Sequence, residues 1–192
     1  GEGGAVTTNS KQIFEQLKQI RSHGRTDSRN YFENPNESIY HNVGYNWRMS
    51  SITAGLGISQ LHKLDKLIAL RQKNAKYIIN RISKFDIQII SAPMGHEHIY
   101  QMFSFRLKNQ EIRDKLHEFL IKKRIFSKVY FSPIHLNSFY MKKYDIKKGI
   151  LPITESVSEQ ILTVPLYPNM TNDEMNYLID SISEFFDSQS GN

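Results

Sequence analysis

The sequence predicts an α/β chain in three parts: a short strand-and-helix segment, one long helix, and a small α+β domain. Three observations lead there. Apolar residues Ile52, Leu56, Leu61, Leu64 and Ile68 open a helical spacing that runs from about Ser51 to Ile82. After Ser83 the pattern changes to short extended runs, Ile87–Ile90 and Ile99–Leu107, set among amphipathic helices. Residues 1–49 hold one strand and one helix, too little to close a core alone. The predicted boundaries are therefore 1–49, 50–82, 83–187 and a frayed tail at 188–192.

The elements follow in order. Gly1–Thr8 reads as a short strand around Ala5 and Val6. Asn9-Ser10 ends it and can cap a helix from Lys11 to Ser22, with Ile13, Phe14, Leu17 and Ile20 on one face. Gly24 stops that helix. Residues 25–43 are a long polar stretch with three aromatics, Tyr31, Phe32 and Tyr40, and loops of that length are usually functional or disordered. Ser50 or Ser51 caps the long helix, which exceeds the common globular length and suits a bridge between two domains. Gly55 and Gly57 inside it each cost about 1 kcal/mol against Ala.

In the third part, Pro93-Met94-Gly95 marks a turn between the first two strands. Glu111–Lys123 is an amphipathic helix with Ile112, Leu116, Phe119 and Leu120 inward. Phe126–Phe131 reads as a third strand and Phe139–Tyr144 as a short helix. Thr154–Leu162 is a further helix with Thr154 as its cap, and Val157 and Ile161 inward. Leu162–Tyr167 is extended, as Pro165 and Pro168 require. Thr171 and Glu174 form a capping box for a last helix that buries Met175, Leu178, Ile179, Ile182 and Phe186.

Composition bounds the function. Of the 192 residues, 39% are apolar and 23% charged, as in a soluble globular protein. No run of 18 apolar residues is present, so no spanning segment and no membrane partner are expected. There is no signal-like N-terminus. The absence of cysteine excludes disulfides and thiolate metal sites and fits a cytoplasmic protein. With Gly rather than Met first, the expectation is a chain whose start was removed. The net charge of +6 permits phosphorylated partners, but the basic residues are scattered and no nucleic-acid motif occurs. His96-Glu97-His98 could place two imidazoles on one strand face for a metal, yet no third ligand is set by the sequence, and no metal site is expected.

The chemistry concentrates in Gly44-Tyr45-Asn46-Trp47-Arg48-Met49, just ahead of a helix start. Two readings of it stand on residues alone. Asn46 and Arg48 can offer donors to an anion where a helix N-terminus already favours one. Alternatively, Asn46 shapes a turn and Arg48 pairs with a surface carboxylate.

Five segments, in order, resemble the DegT/DnrJ/EryC1/StrS aminotransferases, pyridoxal-phosphate (PLP) enzymes that aminate keto-sugars. They are Gly1-Glu2-Gly3-Gly4-Ala5-Val6, Arg21-Ser22-His23-Gly24-Arg25 (R-x-H-G), residues 44–49 (G-x-N-x-R-M), Tyr130-Phe131-Ser132-Pro133-Ile134-His135, and Leu162–Pro168. The resemblance implies the aspartate-aminotransferase-type fold. Residues 1–49 would be the end of the PLP-binding large domain, 50–82 the interdomain helix, and 83–187 the small domain. It implies a homodimer in which Asn46 reaches the PLP phosphate of the partner subunit. Tyr130 and Phe131 would line the substrate side, with His135, Arg48 and Arg25 as further substrate contacts, and Arg29 beside them.

The family's Schiff-base lysine lies before the segment that Gly1–Val6 matches, so no catalytic residue is assigned here and the chain alone is expected to be inactive. The intact enzyme would move an amino group from an amino-acid donor, glutamate by expectation, to a nucleotide-linked keto-sugar for surface-polysaccharide or amino-sugar biosynthesis. The alternative is a non-catalytic binding module derived from that fold; a basic nucleic-acid binder is the third reading.

Overall fold

The computed structural model describes residues 3–25 and 40–190. Most of the long polar stretch, with Arg29, Tyr31 and Phe32, lies outside the described residues. The chain divides into two compact units, the first ending at Lys63 and the second beginning at Leu64.

In the first unit α1 spans Lys11–Arg21 and α2 spans Ser51–Leu61. Ser10 and Ser50 cap them, each hydroxyl accepting from the amide three residues on, at 3.3 Å from Ile13 and 3.2 Å from Thr53. Residues 3–8 are not a strand, contrary to expectation. A strand exists only through its ladder, and no described segment pairs with this one. Neither helix buries a side chain; Phe14 is 53% and Ile52 88% exposed.

The expected continuous helix over 51–82 is two helices. After α2 the amide of Lys63 turns back to Gln60 O at 3.0 Å, an i→i−3 contact, and α3 begins at Leu64 and runs to Ile82.

The second unit is a three-stranded antiparallel sheet with helices packed on it. β1 (Ile87–Ile89) pairs with β2 (Phe103–Leu107), and β2 pairs with β3 (Ile161–Val164), in the order β1-β2-β3. Period-2 alternation on β2 buries Phe103, Phe105 and Leu107. They meet Ala75, Ile78 and Ile82 of α3, and Leu116 and Leu120 of α4 (Gln110–Lys122), in one core. Met175, Leu178, Ile179, Ile182 and Phe185 of α7 (Asn172–Ser190) complete it. Phe185, rather than Phe186, is the deeper of the two aromatics. The Thr171–Glu174 capping box is formed, with Thr171 N donating to Glu174 Oε2 at 2.8 Å and Glu174 N to Thr171 Oγ1 at 3.2 Å. α7 continues through residues expected to be a frayed tail.

Three further expectations are corrected. β2 starts at Phe103, not Ile99, because Tyr100 turns left-handed (φ 49°) and its carbonyl is taken by the Arg71 guanidinium at 3.0 Å. Among the described residues, 126–131 make a single bridge, Lys128 to Thr163, and are not a strand. The helix expected from Thr154 is α6, Pro152–Gln160, entered through Pro152 rather than capped by Thr154. Ile161 belongs to β3, and the buried side chain of α6 is Glu155. The remaining helix, α5, spans Ser138–Tyr144.

Phe105 is fully buried on the central strand. Phe105→Ala should lower unfolding free energy by about 3–5 kcal/mol, whereas Met94→Ala, at a fully exposed turn, should change it by less than about 0.5 kcal/mol. Denaturant titration of the full-length protein checks both.

Candidate functional site

In the first unit two of the sequence motifs meet. Gly24 sits at φ 79°, and a Cβ there would lie 1.6 Å from Asn42 O. A Cβ on Gly44 would lie 2.0 Å from Gly24 N. Only glycine on both sides permits this approach. Around it, Tyr45 N donates to Ile20 O at 2.7 Å, His23 N to Tyr45 O at 2.9 Å, and Trp47 N to Arg21 O at 3.0 Å. Residues 45–47 thus run antiparallel to the end of α1, with Asn46 opposite Ser22.

Extended backbone alternates its side chains. Tyr45 and Trp47 stack at 4.2 Å, nearly parallel, and Asn46 between them is exposed. Arg48 Nε donates to Asn46 Oδ1 at 3.3 Å. A guanidinium cannot accept, so this contact orients the amide and leaves Nδ2 as a donor. Asn46 stands in extended backbone bridged to Ser22 and shapes no turn, and the partner of Arg48 is the Asn46 amide rather than a surface carboxylate. Arg48 also lines an open groove of about 950 Å³ with Gly3, Phe14, Lys18, Arg21 and Met49. Arg25 is half-buried, its backbone bridging to Tyr40.

In the second unit Tyr130 and Phe131 are joined by a cis peptide bond, and their rings meet edge-to-face at 4.7 Å. Phe131 is 65% exposed. Tyr130 faces an open cleft of about 440 Å³, lined also by His98, Tyr100, Gln101 and Ser104. Lys128 Nζ lies 5.4 Å from the Tyr130 ring centroid. Pro133 leads into a 3₁₀ turn, Ile134–Leu136, that carries His135.

His135 Nε2 lies 3.0 Å from Glu155 Oε1. The same carboxylate accepts from Gly149 N at 2.9 and 2.8 Å and from Leu151 N at 3.3 Å. The hydrogen bond from His135 holds the Glu155 carboxyl below the usual carboxylate range, burial opposes this, and the two backbone amides add to it. Sequence reasoning missed Glu155. Its signal was Pro152 opening a helix with a carboxylate in the first turn.

Sequence also missed how the cleft wall is held. Arg71 Nη1 donates to Tyr100 O, Gln101 O and Leu166 O, and Gln72 Nε2 to His98 O. The two histidines considered for a metal lie in this irregular segment, not on a strand. His98 Nδ1 accepts from Tyr100 N at 2.9 Å, and no group of three or more potential metal ligands occurs among the described residues. No helix among them is long and apolar enough to cross a membrane.

Gly24→Ala should force the two motifs apart and destabilise the first unit by at least about 1 kcal/mol. Trp47 is the one tryptophan of this sequence. In the 192-residue chain its fluorescence should change on that substitution, while near-UV signals of the β2 core persist.

The model of the DegT/DnrJ/EryC1/StrS aminotransferase family matches residues 1–183. GDP-perosamine synthase of Escherichia coli O157:H7 is 28% identical over 186 residues, 97% of this chain and 48% of that protein. Among solved structures, PseC of Helicobacter pylori, an aminotransferase involved in the biosynthesis of pseudoaminic acid, superposes with a TM-score of 0.82 at 21% identity. It covers 94% of this chain and 48% of that one. Spr1654 of Streptococcus pneumoniae, in a PLP form, gives 0.81 at 20%, covering 94% and 45%. The last two similarities show the fold, that of the sugar aminotransferases. The chain spans about half the length of the curated relatives it matches. With a family match over nearly its whole length, the chain belongs to the DegT/DnrJ/EryC1/StrS aminotransferases.

Proposed function

We propose that this chain is the C-terminal portion of a PLP-dependent sugar aminotransferase, acting in the cytoplasm as a homodimer. The intact protein transfers an amino group from an amino-acid donor, with glutamate the first to test, to a nucleotide-linked keto-sugar destined for surface polysaccharide or an amino-sugar product. Family membership and relatives such as GDP-perosamine synthase support the reaction class.

The observation that carries the reading is the Asn46 amide. It is exposed, its Oδ1 is engaged by Arg48, and its Nδ2 is left to donate. That donor suits a phosphate, so the residues present fit the lending part of a PLP site. When bound, PLP supplies an electron sink through which the amino group moves between donor and keto carbon. Asn46 holds the cofactor phosphate of the partner subunit, and Arg48 keeps the amide turned while meeting substrate with Arg25. Tyr130 and Phe131 present aromatic surface to the sugar nucleotide, and His135 adds a polar contact. The group that forms the Schiff base is a lysine of the preceding half.

Asn46→Ala in the full-length enzyme removes one hydrogen bond to a charged group. PLP affinity should fall about tenfold or more, read by titrating cofactor absorbance. Unchanged affinity would count against the assignment. For the 192-residue chain alone, PLP followed by borohydride should trap no lysine stoichiometrically, as read by peptide mass. Stoichiometric trapping at one position, with an amino-acid half-reaction, would show that this chain carries its own site.

A further inference from the structure

The Glu155 carboxylate is buried, with 6% of its residue surface exposed, and joins the turn carrying His135 to the 149–151 stretch ahead of α6. One oxygen accepts from His135 Nε2, Gly149 N and Leu151 N, and the other accepts from Gly149 N. Each of those backbone partners can only donate. An ionised carboxylate can only accept. The hydrogen between His135 and Glu155 therefore sits on Nε2. In the neutral imidazole the lone pair is then on Nδ1, which makes no hydrogen bond among the described residues.

We infer that Glu155 is a positioning residue for His135: it fixes the Nε2-protonated tautomer and leaves Nδ1 as an acceptor for a hydroxyl of the sugar nucleotide. The choice of ligand rests on the proposed function; the tautomer does not. Glu155 reaches substrate through His135. The same carboxylate gathers the 149–151 backbone, so the turn carrying His135 and the entry to α6 are held by one group. Phe131 O also accepts from Ser158 Oγ of α6 at 3.3 Å, a second tie between that helix and the aromatic pair.

The test uses full-length protein labelled with ¹⁵N-histidine at pH 8, with His135→Asn assigning the resonance. Wild type should show His135 protonated on Nε2, and Glu155→Ala should show a mixture of tautomers. Glu155→Gln keeps an oxygen for Nε2 and should retain the wild-type tautomer, although its NH₂ then opposes Gly149 N–H. A wild-type ring protonated on Nδ1, or a spectrum unmoved by Glu155→Ala, overturns the inference. The wild-type spectrum decides the tautomer even if Glu155→Ala fails to fold.

Kinetics supply the second arm. Glu155→Ala should raise KM for the nucleotide-linked keto-sugar about tenfold, the scale of one lost hydrogen bond. The amino-acid half-reaction should stay within about twofold, and Glu155→Ala should add nothing in a His135→Ala background. Equal losses in both half-reactions, or additive effects, would mark Glu155 as structural only and overturn the positioning role. If wild-type enzyme turns over no keto-sugar, the proposed function fails, and the imidazole spectrum still decides the tautomer.

Discussion

Arg71 holds three carbonyls with one guanidinium nitrogen, and the shape of the second unit depends on that kind of contact. Much of the chain around the cleft is irregular. Irregular backbone carries polar groups that no ladder satisfies, and leaving them unpaired away from water costs about 1–3 kcal/mol each. A few side chains take those bonds. Arg71 and Asn74, both on α3, pair with the backbone at Tyr100, Gln101 and 166–168. Glu155 does the converse for amides at Gly149 and Leu151. The regular core of β2, α3, α4 and α7 gives these side chains a rigid base.

The first unit reaches order by a different route. Among the described residues of that unit, no apolar side chain belongs to the buried core. What defines the Asn46 segment is backbone against backbone. Gly24 and Gly44 approach closely enough that a methyl group on either would collide, and three inter-segment amide bonds follow. Loop geometry then decides chemistry: alternation puts Asn46 opposite the Tyr45–Trp47 stack, and Arg48 turns its amide.

The elements most legible in the sequence were those with strong periodicity or local capping chemistry. α1, α4 and α7 follow their apolar spacing, and the Thr171–Glu174 box is a signal contained within four residues. What sequence could not reveal depends on long-range pairing. Gly3–Val6 has strand composition but no strand partner among the described residues. Ile99–Met102 alternates like a strand, yet its carbonyls are claimed by Arg71, some thirty residues earlier in the chain. The 51–82 pattern continues past His62 although the backbone there tightens into a turn, because apolar spacing does not report a single i→i−3 contact. For the site, the motif resemblance named Asn46 and His135. The hydrogen-bond partner of His135 lies twenty residues on, in the first turn of α6, where the local signal is Pro152 followed by a carboxylate and nothing in the sequence pairs it with His135.

Subunit mixing tests the central claim, that Asn46 belongs to a cofactor site completed by a second subunit. A full-length variant lacking the Schiff-base lysine is combined with full-length Asn46→Ala, and activity is measured after dimers exchange. If Asn46 serves the neighbour, each mixed dimer contains one site with both lysine and Asn46 intact, and activity returns to about half that of wild type per dimer, as one of two sites is restored. If activity does not rise above that of Asn46→Ala alone, Asn46 serves its own subunit or no cofactor site at all, and the account given for this loop is contradicted.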